Sequence, residues 1–259
     1  MRYEILGSVR LVDNGKVFSI SARKMEILLA TLLIKRNAIV STDRIIGEIW
    51  GEHSPRRAKA ALHVYISQLR KLLSSFGSKG NPIVTRSSGY SLLIGSDELD
   101  LCEFEALVAN GRVHVAAKRY TEALLLFNKA LGLLRDPILG DGGGGDGVIF
   151  SGCRRWVEEI RLEAIEMMTA SHLALGRSRE AVGLLSSLIV EYPLHEEFYR
   201  QLMLALYRCR RRADALQVYR TAWETLRQEL GLEPCRALRD LHQMILIADV
   251  DGCSRRLAW

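Results

Sequence analysis

The sequence predicts a multidomain, mainly α-helical protein in which a small α+β part precedes an all-α part made of repeated helix pairs. Strand and helix patterns alternate through residues 1–96, whereas long helical patterns without strands fill residues 100–250. A recurring acid-Ala motif marks three of the later helices. These observations place a domain boundary between residues 96 and 100 and leave 251–259 as a frayed tail.

The first part opens with the pattern of a β-hairpin followed by a helix. Apolar and polar residues alternate on both sides of Asn14-Gly15, a pair typical of the tight turn between antiparallel strands. Ser21 is a fair N-cap for a helix that ends near Lys35. The predicted buried stripe of that helix consists of apolar residues at helical spacing, namely Met25, Leu28, Leu29, Leu32 and Leu33.

Two more helices are predicted from their end signals. Ser41 or Thr42 caps the second helix, and Gly51 ends it. Ser54-Pro55 combines an N-cap with a proline in the first turn, which predicts a third helix that runs to about Ser75. The side chains of the second helix that we expect to face inward are Ile45, Ile46, Ile49 and Trp50.

A second strand pair closes the first part. Strand patterns occupy Ile83–Arg86 and Tyr90–Ile94, and Ser87-Ser88-Gly89 joins them as a tight turn. The resulting order of hairpin, three helices and hairpin is the order of a winged helix-turn-helix.

The second part is predicted to contain about three helix-hairpin repeats. The acid-Ala motif occurs at Glu122-Ala123, Glu180-Ala181 and Asp214-Ala215, and the last two copies are 34 residues apart, which is the tetratricopeptide period. The first two copies are 58 residues apart, and the excess falls on a Gly-rich stretch at about 136–152, which we interpret as a flexible inserted loop. This loop contains GxGxxG at 140–145 without the preceding strand or the Lys-Ser/Thr pair that phosphate-binding loops need.

Composition indicates a soluble globular protein without a membrane segment. Hydrophobic residues make up 48% of the chain and charged residues 25%. The longest apolar stretch, at 25–34, is too short to cross a bilayer, and the N-terminus lacks the apolar region of a secretion signal. Five cysteines without a CxxC pair predict reduced thiols and neither a disulfide framework nor a zinc site. We therefore expect a cytoplasmic protein without a cofactor.

Positive charge is concentrated in the first part. Residues 1–99 hold 15 basic and 8 acidic side chains, whereas the whole chain holds 36 and 30. No acidic residue occurs between Glu52 and Asp97. A surface field of one sign attracts polyanions such as nucleic acids. The basic residues inside this acid-free window are Arg56, Arg57, Lys59, Arg70, Lys71, Lys79 and Arg86.

The third helix has two dissimilar faces. One narrow arc predicts the core side and holds Ala58, Leu62, Ile66, Leu69 and Leu73. The opposite arc combines small, hydrogen-bonding and apolar side chains with cations at both ends, where a merely solvated face would mix Glu and Lys. Such a set suits a helix in a major groove, since small residues allow close approach, Gln or His reach base edges and cations meet phosphates. This arc holds Arg56, Arg57, Ala60, His63, Val64, Ser67, Gln68 and Lys71.

The second strand pair supports a nucleic-acid function. Arg86 lies beside the tight turn of small polar residues that contains Ser88. A hairpin of this kind can place an arginine in a minor groove, where narrow A·T tracts concentrate negative potential. Taken alone, the motif is equally compatible with an ordinary solvent-exposed arginine.

Six stretches of the chain resemble one family of bacterial regulators. In the first part they are STDRIIGEIWG at 41–51, LHVYISQLRKLL at 62–73 and RSSGYSL at 86–92. In the second part they are PLHEE at 193–197, LMLALYR at 202–208 and ELGLEP at 229–234. The first three are similar to OmpR/PhoB-type winged helices, and all six in this order resemble the Streptomyces antibiotic regulatory proteins.

The resemblance implies a winged-helix DNA-binding domain followed by a bacterial transcriptional activation domain. It implies a nucleoid-associated activator that binds direct repeats of double-stranded DNA near the promoter −35 region of antibiotic biosynthetic clusters. A homodimer or tandem protomers would occupy these repeats and recruit RNA polymerase through its sigma and other subunits.

The resemblance also assigns roles to individual residues. Base readout would fall to His63, Val64, Ser67 and Gln68. Most relatives carry Gln-Thr or Gln-Asn where this chain has His63-Val64, so this pair should decide which DNA sequence is bound. Contacts with phosphates or the minor groove would fall to Arg56, Arg57, Lys59, Arg70, Lys71, Arg86, Ser88 and Tyr90.

Two other classes of protein compete with this interpretation. A helical-repeat interaction protein could use its basic winged helix to bind protein or RNA instead of specific DNA. An enzyme is disfavoured, because the six histidines and scattered acids form no Ser-His-Asp order, HExxH motif or carboxylate pair. His195-Glu196-Glu197 follows Pro193 at a helix start, where acids suit the positive end of the helix.

Overall fold

The computed structural model describes residues 1–20, 22–76, 82–95, 98–135 and 147–247. The predicted tail at 251–259 and most of the predicted Gly-rich loop lie outside these residues. Contacts divide the chain into two compact units. Unit 1 comprises Met1–Ala109 and Asn128–Leu162, and unit 2 comprises Asn110–Phe127 and Glu163–Trp259.

Short strands and long helices make up the described residues. The strands are β1 (Arg2–Glu4), β2 (Arg10–Asp13), β3 (Lys16–Ser19), β4 (Val40–Ser41), β5 (Ile83–Arg86), β6 (Gly89–Leu92) and β7 (Glu98–Leu99). The helices are α1 (Arg23–Ile34), α2 (Thr42–Trp50), α3 (Ala58–Ser75), α4 (Asp100–Ala116), α5 (Tyr120–Leu133), α6 (Val148–Ala174), α7 (Ser178–Glu191), α8 (Glu196–Arg208), α9 (Arg212–Leu230) and α10 (Arg236–Ile247). This architecture is the predicted one, a winged helix-turn-helix followed by a helical-repeat region.

The N-terminal sheet of unit 1 has the strand order β3-β2-β1-β7. β1, β2 and β3 are antiparallel, with Leu11 opposite both Tyr3 and Phe18, while β7 pairs parallel to β1. The predicted turn is confirmed, because Asn14 and Gly15 have φ of 49° and 77°, as a tight hairpin requires at both central positions. The sequence pattern missed β7, whose two residues are too few to show a period.

The first two helices of the winged helix form largely as predicted. α1 buries Leu28, Leu29, Leu32 and Leu33. Ser21 lies outside the described residues, and Ala22 is the N-cap of α1 without a side-chain cap bond. Ser41 is confirmed as the N-cap of α2, since its side chain accepts a hydrogen bond from the Arg44 amide at 3.3 Å. Gly51 ends α2 at φ 57°.

The third helix begins three residues later than the Ser54-Pro55 signal predicts. The Pro55 carbonyl accepts from the Ala58 amide at 2.9 Å, which closes a separate turn before the helix. The first helical bond then runs from the Ala61 amide to the Arg57 carbonyl at 3.0 Å. A proline can therefore lie in a turn that leads into a helix as well as in its first turn. The predicted end at Ser75 is confirmed.

The second sheet of unit 1 forms the wing and has the order β4-β6-β5. β6 begins at Gly89, one residue before the prediction, because Gly89 pairs with both Ser41 and Arg86. A Cβ at Gly89 would lie 1.9 Å from the Val40 carbonyl oxygen, so only glycine allows β4 to approach this closely. This pairing attaches the wing to β4, directly before α2.

The buried Asp100 and the half-buried Arg135, both in unit 1, join the winged helix to the residues that follow it. Asp100, which is 2% exposed, accepts hydrogen bonds from the Ile5 and Leu6 amides at 2.8–3.0 Å. Arg135 contacts the same carboxylate at 3.3 Å and Glu4 at 3.0 Å. Burial raises the pKa of Asp100, against the opposing effects of these amides and Arg135.

The predicted inserted loop is shorter than expected at its C-terminal end. Residues 148–152 belong to the first turns of α6 and are not part of a loop. Gly147 is buried directly before this helix, and Ile149 and Phe150 are 5% and 2% exposed. These apolar side chains are more stable buried than in a solvated loop. The prediction failed here because the preceding run of glycines made the whole stretch resemble a loop.

Unit 2 shows the predicted repeat at atomic level. The motif alanines Ala123, Ala181 and Ala215 are all fully buried. The residue five positions before each of them has a left-handed backbone, with φ of 58° at Lys118, 74° at Gly176 and 61° at Arg210. The same pair of turn hydrogen bonds recurs at all three places, as in a Schellman helix end. Each repeat therefore contains the same turn geometry and a buried alanine five residues after the left-handed residue.

Candidate nucleic-acid interface

The core side of α3 fixes which of its side chains face solvent. All five residues predicted for this side are buried, at 6% exposure or less: Ala58, Leu62, Ile66, Leu69 and Leu73. Fully burying a Leu or Ile side chain stabilises the folded state by about 1.5–3 kcal/mol. These residues therefore determine which side of α3 faces the core. The opposite side is thus presented to solvent along the length of α3.

The four residues predicted to contact bases all lie on the exposed side of α3. His63, Val64, Ser67 and Gln68 are exposed, and Val64 leaves 53% of its surface in contact with solvent. Their sequence spacing places them on adjacent turns of one helix face. This patch, His63, Val64, Ser67 and Gln68, is called the reading patch below.

Cations flank the reading patch at both ends. Arg56 and Arg57 are exposed before α3, and Lys71 is exposed one turn after Ser67 and Gln68. Lys59 is also exposed and lies 3.6 Å from Asp43 of α2, an ion pair in which both side chains are largely solvated. Solvated ion pairs of this kind contribute little to stability, so Lys59 can leave Asp43 and bind another anion at little cost.

An aromatic contact joins α2 to α3 below the reading patch. The rings of Trp50 and Tyr65 stack with centroids 6.0 Å apart and an interplanar angle of 27°. The Lys24 ammonium of α1 lies 5.4 Å from the Trp50 ring centroid, within cation–π range. The Lys24 contact could not be predicted from the sequence, because it depends on how α1 crosses α2.

Arg70 makes hydrogen bonds within the protein, and its predicted contact with a phosphate stays a prediction. Its guanidinium donates to the Ile83 carbonyl at 2.8 and 3.1 Å and to the Thr85 hydroxyl at 2.8 Å. These bonds link α3 to β5 of the wing. Arg70 is half-buried, whereas its neighbour Lys71 is exposed.

The wing presents two of its three predicted contact residues to solvent. Arg86 and Ser88 are exposed at the turn, and the Ser88 carbonyl accepts from the Thr42 amide at 3.2 Å. Tyr90, the third, is only 6% exposed and lies in the buried part of β6. Its contact with DNA stays a prediction, and its burial shows a packing role in the wing.

Glu48 of α2 is a functional candidate that the sequence analysis did not single out. It is 2% exposed, and its carboxylate accepts from the Ile149 amide at 2.7 Å and from the Phe150 amide at 3.1 Å. The partners lie about a hundred residues away along the chain. A single glutamate in an amphipathic helix gives no sequence signal for such a contact.

The described residues do not point to a metal site or a membrane segment. They contain no group of three or more His, Cys, Asp or Glu side chains arranged to hold a metal ion. Among the described helices, none combines the length and apolar character needed to cross a membrane.

Family models match nearly all of the chain. Residues 15–92 match the C-terminal domain of transcriptional regulatory proteins, and residues 99–246 match the bacterial transcriptional activator domain. The winged helix, its exposed basic face and these two matches define a DNA-binding transcriptional regulator. The chain belongs to the Streptomyces antibiotic regulatory protein family, with an OmpR-type DNA-binding domain and a bacterial transcriptional activator domain.

Individual relatives share about a third of the residues. The regulatory protein AfsR of Streptomyces griseus is 33% identical over 249 residues, which cover 96% of this chain but 25% of AfsR. The transcriptional regulatory protein MoaR1 of Mycobacterium tuberculosis is 32% identical, over 95% of this chain and 79% of MoaR1. The transcriptional regulator RedD of Streptomyces coelicolor is 34% identical, over 95% of this chain and 70% of RedD.

A solved structure of a relative has the same fold. Mycobacterium tuberculosis EmbR, in complex with a low affinity phosphopeptide, matches with a TM-score of 0.87 and 31% identity. The match covers 95% of this chain and 64% of the EmbR chain. The present chain therefore spans about two thirds of EmbR and a quarter of AfsR.

Proposed function

We propose that this protein is a sequence-specific transcriptional activator of a secondary-metabolite gene cluster. The winged helix, residues 1–96, binds direct repeats near the promoter −35 region. The helical-repeat domain, residues 100–250, joins two protomers on the DNA and contacts RNA polymerase, including its sigma subunit. The proposed place of action is the cytoplasm, on the nucleoid.

The composition of the reading patch carries this proposal. The core side of α3 leaves His63, Val64, Ser67 and Gln68 exposed beside several cations. A Gln or His can bond a base edge, Val64 can pack on a thymine methyl group, and the cations can neutralise phosphates. A patch that binds only protein has no need of an acid-free stretch of this length around it.

The roles of the cations follow from their surroundings. Arg56, Arg57, Lys59 and Lys71 are the proposed phosphate contacts, since all four are exposed. Arg86 is the proposed minor-groove contact at the tip of the wing. Arg70 supports the wing through its bonds to β5, and we propose this as its main contribution to DNA binding.

In vitro selection tests the proposal without knowledge of the operator. The purified chain is used to enrich bound duplexes from a random double-stranded library. The enriched duplex then competes with random DNA and with RNA of the same length. We expect the enriched duplex to bind ~10³-fold or more tightly than random DNA, with affinity that falls steeply as salt rises. Equal retention of random DNA, or preference for RNA, would contradict the proposal and favour the protein- or RNA-binding alternative.

A further inference from the structure

A notch opens between two exposed apolar side chains at the start of α6, within unit 1. Val148, Gly152 and Trp156 follow one another at intervals of four residues, which places them on one face of the helix. Val148 and Trp156 leave 74% and 38% of their surface in contact with solvent. A Cβ added at Gly152 would meet nothing within 4 Å, so the space between its two neighbours is open. These three residues are called the α6 notch below.

The α6 notch is one side of a cavity of about 270 Å³. The other sides are formed by the end of α1, by Arg44 of α2 and by the start of α4. Two contacts hold these sides in place. Arg36, just after α1, pairs with Glu105 of α4 at 3.0 Å, and Glu48 of α2 accepts from the Ile149 amide of α6 at 2.7 Å. The cavity is therefore formed before any partner arrives, which lowers the cost of binding.

Positive charge predominates in this cavity. Lys35 and Arg44 line it, and both side chains are exposed. Within the described part of the chain, neither of them forms an ion pair at 4.0 Å or less. Among the described residues that line the cavity, Glu105 alone is acidic, and it is already paired with Arg36. The cavity therefore attracts a negatively charged partner.

The size and composition of the cavity favour a peptide over other negatively charged partners. Pockets that enclose whole small molecules usually measure about 300–1,000 Å³, so a cavity of about 270 Å³ suits a single large side chain better. Nucleic acid would use Lys35 and Arg44 for its phosphates but would leave the apolar α6 notch unfilled. A peptide can do both, because one apolar side chain fills the notch while neighbouring carboxylates meet the cations.

We propose that this cavity is a docking site for an acidic segment of a partner protein, anchored by one large apolar side chain in the α6 notch. The anchor lies between Val148 and Trp156, and acidic residues beside it pair with Lys35 and Arg44. All of these residues belong to unit 1. The proposal goes beyond the proposed function and does not depend on it, because no residue of the reading patch takes part.

Peptide display tests the proposal without knowledge of the partner. A library of random linear peptides displayed on phage is selected on the purified chain. The enriched peptides are then synthesised with a fluorophore, and their affinities are measured by fluorescence anisotropy. We expect enriched peptides to share one aromatic or large aliphatic residue flanked by Asp or Glu. Their affinity should fall as the salt concentration rises, because exposed charges are screened.

Three substitutions examine the two parts of the site separately. Gly152→Leu fills the α6 notch without removing any side chain that lines the cavity, and leucine is a better helix former than glycine. Trp156→Ala removes one side of the notch, and Arg44→Glu reverses one charge. We expect each substitution to weaken peptide binding by ~10-fold or more.

Matched controls come from two other helices of the chain. Gly183→Leu adds the same side chain in α7 at a position where an added Cβ also meets nothing within 4 Å. Trp223→Ala removes another exposed indole, which leaves 36% of its surface in contact with solvent. Both controls should keep the full affinity for the selected peptides. Thermal unfolding by circular dichroism shows which variants are folded at the assay temperature.

Several outcomes would overturn the proposal. A selection without enriched peptides, or enriched peptides that lack acidic residues, would do so. Full peptide affinity in a folded Gly152→Leu protein would also do so, because it would place the bound peptide elsewhere. An Arg44→Glu protein that loses affinity for DNA but keeps its affinity for the peptides would assign the cations to DNA and overturn the docking site.

Discussion

Replacing Arg70 by alanine removes the hydrogen-bonded link between α3 and the wing. The guanidinium bonds the Ile83 carbonyl at 2.8 and 3.1 Å and the Thr85 hydroxyl at 2.8 Å. Hydrogen bonds from a charged donor contribute about 1.5–3 kcal/mol each, and less where solvent reaches them, as it does at Thr85. Arg70→Ala should therefore lower the free energy of unfolding by about 2 kcal/mol.

Two measurements distinguish a wing support from a phosphate contact. For a unit of this size, 2 kcal/mol corresponds to a decrease in Tm of roughly 4–8 °C, measured by circular dichroism. In Arg70→Ala we also expect weaker DNA binding with an unchanged salt dependence, because no phosphate contact is removed. The exposed neighbour provides the control, since Lys71→Ala should leave Tm unchanged and reduce the slope of log K against log salt by ~0.9. An Arg70→Ala protein with unchanged Tm and a reduced salt slope would refute the wing-support role.

Three further predictions concern stability: one for the wing and two for the helical-repeat domain. Gly89→Ala forces a Cβ against the Val40 carbonyl and should lower Tm markedly, whereas Gly95→Ala, with nothing within 4 Å, should not. Ala181→Leu overpacks a fully buried repeat position and should cost about 1–3 kcal/mol in urea unfolding, while Gly183→Ala in the same helix should be tolerated. Burial, with a smaller contribution from Arg177, lowers the pKa of His172 below 6.5, although Glu180 opposes the shift. The unfolded chain therefore binds a proton at His172 more readily than the folded chain. The free energy of unfolding should fall as the pH drops from roughly 7 to 5. His172→Gln should weaken that pH dependence, and an equally steep dependence in this variant would count against the role of His172.

Local periodicity explains why the exposed and buried faces of α3 could be predicted. The period of an α-helix relates residues that are close in the chain, so Leu62, Ile66 and Leu69 identify the core side without any tertiary information. The same holds for the Asn14-Gly15 turn and for the Ser41 cap, whose partners lie within three residues. The three acid-Ala motifs likewise marked the repeat from the sequence alone.

Contacts between distant residues explain what the sequence could not show. The hydrogen bond from Arg70 to the Ile83 carbonyl could not be predicted, because its acceptor depends on the register of β5 and β6. Glu48 and Ile149 are separated by 101 positions, and their contact depends on how α6 packs against α2. The predicted start of α3 differs from the observed one for another reason. A Ser-Pro pair occurs both in the first turn of a helix and in a separate turn before it, so the pair alone does not locate the first helical residue.

The central claim is that the reading patch distinguishes one DNA sequence from others, and the preference of the Gln68→Ala variant tests it most directly. Selection from a random duplex library is carried out in parallel with the wild-type chain and with Gln68→Ala. Loss of one bidentate contact to a base should relax the preference at one base-pair position by about 1–3 kcal/mol and leave the other positions unchanged. An identical preference in both proteins, or a uniform loss of affinity for all sequences, would contradict the claim.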